Sequence, residues 1–154
     1  LIKVYQANTK ELIESARELF LKYASSLNFD LCFQGFDKEL ESLPGEYSPP
    51  DGRLMLAEIR TGIAGCIALR KLDTGICEMK RLYVKHEYRN YGLGRTLTEV
   101  LISEAKFIGY KKMRLDTIPI MKEAIKLYRS LGFIEIEPYR YNPIEGALYM
   151  ELDL

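Results

Sequence analysis

Tryptophan is absent from the 154-residue chain, histidine occurs once and cysteine three times. Each scarcity narrows what the protein can be. His86 is the single imidazole and there is no Cys-x-x-Cys pair, so a metal site lacks ligands at the right spacing. Cys32, Cys66 and Cys77 cannot all pair within one chain. The latter two stand in apolar runs, where a reduced thiol packs as a small hydrophobe. No His or acid is placed by sequence to activate either as a nucleophile. No run approaches ~18 consecutive apolar residues and no signal peptide is evident. The expectation is therefore a cytoplasmic protein with no membrane partner. Net charge is missing too: 22 basic residues balance 22 acidic ones. That balance gives no support to a general nucleic-acid or anionic-membrane binder.

What is present suits one domain over residues 1–154, because a 47% hydrophobic share supports a core without disulfide or metal staples. Residues 2–5 read as a first strand. Asn8 with Glu11 resembles a capping box, ahead of a helix whose apolar face holds Leu12, Ala16, Leu19, Phe20 and Tyr23. A short helix over 36–43 and a proline-rich surface loop over 43–52 follow. Residues 53–60 and 63–70 flank a Thr61-Gly62 turn as antiparallel strands. After an Asp73-Thr74-Gly75 turn comes a strand over 76–84. Its alternation, with Cys77, Met79, Arg81 and Tyr83 on one side, is imperfect; a bulge or a strand lined on both sides would explain that. Leu93, Leu97, Val100, Leu101, Ala105 and Ile108 repeat at helical spacing up to Gly109. A strand over 112–117 leads to Pro119, which suits a helix start. Ala124, Leu127, Tyr128 and Leu131 form one face of that helix, and strands over 133–137 and 147–152 end the chain. The order is mixed α/β, with antiparallel strands first.

The strongest local signal is Arg89-Asn90-Tyr91-Gly92-Leu93-Gly94-Arg95, between a strand and a helix. Glycines there let backbone N–H groups approach a ligand, and free N–H groups at a helix start attract phosphate. Arg89 and Arg95 add fork-shaped donors. A P-loop would need Gly-Lys-Ser/Thr, and a dinucleotide fingerprint would need a third glycine where Leu97 stands. By itself the turn also reads as an ordinary helix N-terminus.

Tyr83-Val84 followed by Glu87 to Arg95 resembles the acetyl-CoA loop of the GNAT superfamily of N-acetyltransferases, with Arg89, Gly92 and Gly94 at its Gln/Arg-x-x-Gly-x-Gly/Ala positions. Ala124-x-x-Leu127-Tyr128-x-x-Leu131-Gly132-Phe133 resembles the family's later helix end. The resemblance implies an acyl-CoA N-acyltransferase-like fold: a twisted, mostly antiparallel sheet of six or seven strands flanked by about four helices. It implies acetyl-CoA as acyl donor, with the strands ending near Val84 and beginning near Lys112 splayed to admit the pantetheine arm. Leu82, Tyr83 and Val84 would then present backbone to that arm. Asn90, Tyr91, Gly92, Leu93, Gly94 and Arg95 would hold the pyrophosphate, and Ala124 would line the site. Met121 stands where many relatives carry Asn, and His86 where they often carry Pro.

Acetyl transfer to an amine needs loss of an amine proton, an oxyanion donor and an acid for the thiolate. Tyr128 matches the family's acid position, and its helix face also suits simple packing. Glu78 is the candidate base; the alternative is a sheet carboxylate that binds substrate charge or pairs with Arg81 or Arg53. Backbone N–H near Leu82 to Val84 is the expected oxyanion donor. Asp116 either recognises a cationic acceptor or caps a turn. Tyr139, Tyr141 and Asn142 suit acceptor binding or a homodimer surface, and Tyr47 stands in a loop that would cover the site. Lys80-Arg81 and Lys111-Lys112 read as solvated pairs. The acceptor would be a primary amine on a small molecule or peptide. A non-catalytic acyl-CoA-binding module of the same fold, or a nucleotide-phosphate binder, stands as the alternative.

Overall fold

The computed structural model describes every residue except Thr61, together with all side chains but that of Phe33. Thr61 of the expected Thr61-Gly62 turn thus lies outside the described residues. Seven strands form one sheet: β1 (Ile2–Gln6), β2 (Arg53–Ile59), β3 (Gly62–Asp73), β4 (Ile76–Val84), β5 (Lys112–Thr117), β6 (Ile134–Ile136) and β7 (Leu148–Asp153). Their spatial order is β1-β2-β3-β4-β5-β7-β6. Every pairing is antiparallel except β4 with β5.

Among the described residues four α-helices cover the two faces. Helices α1 (Lys10–Ser26) and α2 (Phe36–Ser42) pack with Leu54, Leu56, Cys66 and Ala68; α3 (Leu93–Ile108) and α4 (Lys122–Ser130) pack with Met55, Ala57, Ile67 and Leu69. Successive residues of β2 and β3 therefore enter opposite cores. This is why those strands read as continuous apolar runs rather than as an alternation. Among the described residues no helix is long and apolar enough to cross a membrane.

Two local expectations need correction. The cap of α1 is Thr9, whose hydroxyl accepts from Leu12 N–H at 3.2 Å, not Asn8. Ala7 N–H is still bonded to Leu54 on β2, so Asn8 belongs to the connection and the helix starts one residue later. Pro119 does not open α4. It sits in a turn closed by Met121 N–H on Ile118 O at 3.0 Å, where its fixed φ suits the second turn position. The alternation of β4 breaks at Arg81, whose φ of 61° is left-handed. Cys66 pairs with Tyr83 and Ala68 with Lys80, so β4 holds one residue more than β3 across this step. The bulge reverses the pleat. Leu82 and Val84 join Cys77 and Met79 on the α3 face, while Tyr83 joins the α1 face.

Candidate active site

β4 and β5 pair only at Ile76–Lys112, Cys77–Met113 and Glu78–Arg114. Beyond that point both strands continue without each other, and a cleft lies where they part. Met79 to Leu82 form one wall and Leu115 to Ile118 the other. Leu27, Leu31 and Gln34 close it from the α1–α2 connection, with Met121, Ala124 and Tyr128 from α4 and its approach, and Asn142 from the β6–β7 connection. The cleft passes through the sheet, since Tyr23 belongs to one core and Tyr128 to the other.

Arg81 holds the bulge. Its Nε and Nη2 donate to the two carboxylate oxygens of Glu39 at 2.8 Å, and Nη1 donates to Gln34 Oε1 at 2.7 Å. Phe36 and Tyr23 flank the guanidinium at 5.2 and 5.8 Å. Lys80 and Arg81 are both buried, which corrects the solvated reading of this pair. Their partners come from α1, α2 and the segment between them, distant in sequence. Lys80 is 7% exposed, and among the described residues its single hydrogen bond is a long one, 3.3 Å to Gln34 Oε1. Burial first, then the Arg81 charge, lowers the Lys80 ammonium to about 8 despite the opposing pull of Glu78.

Tyr128 lies on the inner face of α4, packs on Phe133 at 5.7 Å, and lines the cleft. Burial raises its phenol well above the ordinary range, and the nearby Tyr23 adds to the rise. The group therefore keeps its proton across the neutral range. Among the described residues no hydrogen bond engages its hydroxyl, although the ring itself is buried.

Glu78 is fully buried and does not line the cleft. Arg70 Nε donates to it at 2.8 Å, the Tyr139 hydroxyl donates at 2.7 Å, and Arg140 Nη2 completes the cage. Burial alone would raise this carboxyl. The charges of Lys80, Arg140 and Arg70, with the Tyr139 hydrogen bond, outweigh burial and hold it below the ordinary carboxylate range. Its partners are thus neither Arg81 nor Arg53, which bind Glu39 and Glu104. Arg70 faces Glu78 directly across the β3–β4 hairpin. Counting back from the Asp73-Thr74-Gly75 turn puts Lys71 opposite Glu78; a register shift between Lys71 and Asp73 brings Arg70 there instead, and no sequence signal marked Arg140.

The remaining expected residues separate clearly. Asp116 and Asn142 line the cleft together, Asn142 Nδ2 donating to Asp116 at 3.1 Å. Tyr139 is spent on Glu78 between Arg114 and Arg140, and Tyr141 is 75% exposed away from the lining. Tyr47 is buried against Phe20, so it is core rather than cover. Leu82, Ala124 and Met121 line the cleft, whereas Tyr83 stacks between Tyr23 and Arg89.

Asn90 (φ 79°) and Gly92 (φ 73°) shape the turn before α3. Gly92 caps the helix with no side-chain hydrogen bond. The amides of Gly92, Leu93, Gly94 and Arg95 thus keep the free donors that any helix start leaves over. Arg95 Nη2 reaches Ser130 at 2.6 Å and ties the turn to α4. Arg89 Nε donates to Val84 O at 3.0 Å, so that carbonyl is already engaged and Arg89 braces the end of β4.

A cleft between parting parallel strands, with open helix-start amides at its flank, defines the acyl-CoA N-acyltransferase class of fold. A model of the Acetyltransferase (GNAT) family matches residues 10–133. An uncharacterized N-acetyltransferase of Schizosaccharomyces pombe is 38% identical over 144 residues, covering 92% of this chain and 88% of its own. The crystal structure of a GNAT-family acetyltransferase from Staphylococcus aureus superposes with a TM-score of 0.81 at 23% identity, covering 99% of each chain. A GNAT-family acetyltransferase from Elizabethkingia anophelis with acetyl-CoA bound superposes with a TM-score of 0.68 at 26% identity, covering 100% of this chain and 97% of that one. The chain belongs to the GNAT acetyltransferase family.

Proposed function

We propose that the protein transfers an acetyl group from acetyl-CoA to a primary amine by direct attack within a ternary complex. The observation that carries this reading is the parting of β4 and β5 beside a glycine turn whose helix-start amides carry no side-chain cap. The turn from Asn90 to Arg95 binds the linked phosphates of the donor. The unpaired edge of β4 around Leu82 receives the pantetheine arm as an added strand would, and an N–H of this edge faces the developing oxyanion.

The acceptor ammonium loses one proton to solvent before attack. Its nitrogen pair then forms the C–N bond as the C–S bond breaks and leaves its pair on sulfur. Tyr128 gives the thiolate its proton and regains one from the same nitrogen, so one proton is released per turnover. A buried phenol that stays protonated through neutral pH fits that task. Glu78 was the expected base. Its three partners and its burial favour a different role, a fixed countercharge that holds Arg70 and Arg140 under the cleft. Asp116 is the carboxylate that meets the incoming ammonium.

Acetyl-CoA titration by calorimetry, with thiol release measured over an amine panel, tests the reading. Binding with release of coenzyme A and an acetylated amine of matching mass supports it. Uptake of acetyl-CoA without transfer would make the protein a binding module. No uptake by folded protein removes the reading altogether.

A further inference from the structure

The charges left without partners in the cleft describe the acceptor more closely. This step rests on the acetyl-transfer reading. On the β4 wall Lys80 has no carboxylate within ion-pair reach among the described residues, and its one hydrogen-bond acceptor, Gln34 Oε1, is already held more tightly by Arg81. A buried ammonium with donors to spare is a costly arrangement unless a ligand completes it. The surrounding charge points the same way. Arg70, Arg140 and Lys80 gather near one buried carboxylate, Glu78; Arg70 also reaches the exposed Glu46. Arg140 Nε is buried with no hydrogen-bond partner. This side of the site carries an excess of positive charge.

The opposite wall carries the complement. Asp116 on β5 lines the same cleft, accepts from Asn142, and has no basic side chain within ion-pair reach among the described residues. A cation with no direct ion pair on one strand thus lines the same cleft as an anion with none on the other. Leu27, Leu31, Ile118 and Met121 add an apolar surface beside both.

We infer that the acceptor is a free apolar amino acid, its ammonium received by Asp116 and its carboxylate by Lys80. A peptide N-terminus or a simple alkylamine satisfies only the Asp116 half. Lys80 thereby becomes a residue that determines acceptor specificity, acting through binding of a group remote from the reacting nitrogen.

The test compares matched acceptors: apolar amino acids, their amides, and the corresponding decarboxylated amines, each assayed for kcat/KM with saturating acetyl-CoA. A charge-assisted contact of ~1.5–3 kcal/mol predicts that wild type prefers each amino acid over its amide by about tenfold or more, chiefly through KM. In Lys80→Gln that ratio should fall towards one, whereas Lys80→Arg should retain part of it. General damage to the fold would lower both rates together and leave the ratio intact. Wild type that acetylates the amides and amines as well as the amino acids overturns the inference while acetyl transfer stands. A ratio unchanged in Lys80→Gln overturns the role of Lys80. Failure to acetylate any acceptor overturns both this inference and the reading beneath it.

Discussion

Arg81 and Glu39 are joined by two parallel hydrogen bonds, Nε to Oε2 and Nη2 to Oε1, both at 2.8 Å, between a bulge in β4 and the helix α2. The pair fixes the left-handed backbone of Arg81 and, through Gln34, the segment that closes the cleft. Both side chains are largely removed from water. Removing one partner strands the other charge, so Glu39→Ala should lose about 3 kcal/mol of stability in urea denaturation. Replacing both by apolar residues of similar size should recover much of that loss. An unchanged denaturation midpoint in Glu39→Ala would contradict the anchoring role.

Glu78 has a sign that can be worked out. Its folded carboxyl is more acidic than the unfolded one, near 4.5. Its contribution is therefore fully present above the unfolded value and is lost as pH falls through the lower folded value. Wild type should lose stability below about pH 4.5 more steeply than Glu78→Gln, while the variant is less stable by about 3 kcal/mol at pH 7. If Glu78 is a fixed countercharge, the acid-side limb of the kcat–pH profile should persist in the variant. Loss of that limb would restore Glu78 as the base.

Lys80 runs the opposite way. Its folded ammonium titrates near 8 against 10.5 for the ordinary group, so the unfolded chain holds the proton more firmly between those values. Stability should rise as pH climbs through that window, because the charged form is what folding disfavours. Lys80→Met should therefore be more stable than wild type at pH 7, by an amount on the order of 2 kcal/mol, with the gap closing towards pH 10.5. Thermal melts at several pH values check this. A variant less stable than wild type at pH 7 would contradict the description of Lys80 as an incompletely partnered cation.

At Gly92 an added Cβ meets no atom within 4 Å, yet φ is +73°. Gly92→Ala is therefore disfavoured by backbone conformation and not by crowding, at about 1 kcal/mol. It should leave the melting temperature within a few degrees and weaken acetyl-CoA binding several-fold by calorimetry, because the freed amides lose their alignment. Equal affinity would detach the turn from the donor.

How much of this was readable follows from distance along the chain. The turn from Arg89 to Arg95 and the helix carrying Tyr128 are local patterns, and a single stretch of sequence carries each. The β3–β4 hairpin is local too, but a register shift between Lys71 and Asp73 puts Arg70, not Lys71, opposite Glu78. Arg81 was not readable. A non-glycine residue in left-handed backbone has no local mark, and the bulge that turns Leu82 and Val84 to the other face follows from it. Lys80 and Arg81 resemble a solvated pair because the groups that bury them, Tyr23, Gln34 and Glu39, lie over 40 residues away. Arg140 lies between Tyr139 and Tyr141 with no local mark of its own, and only folding brings it to Glu78.

Thiol release from acetyl-CoA, measured with wild type and Tyr128→Phe in the presence of an amine acceptor, tests the catalytic role of the cleft most directly. The hydroxyl has no partner to lose among the described residues, so the variant should fold and bind acetyl-CoA like wild type. Its kcat should nevertheless fall by about a hundredfold or more, the usual effect of losing a positioned acid. Equal turnover in the two proteins would show that the cleft works without this phenol, and an absence of thiol release from wild type with every acceptor would show that it is not a transferase site.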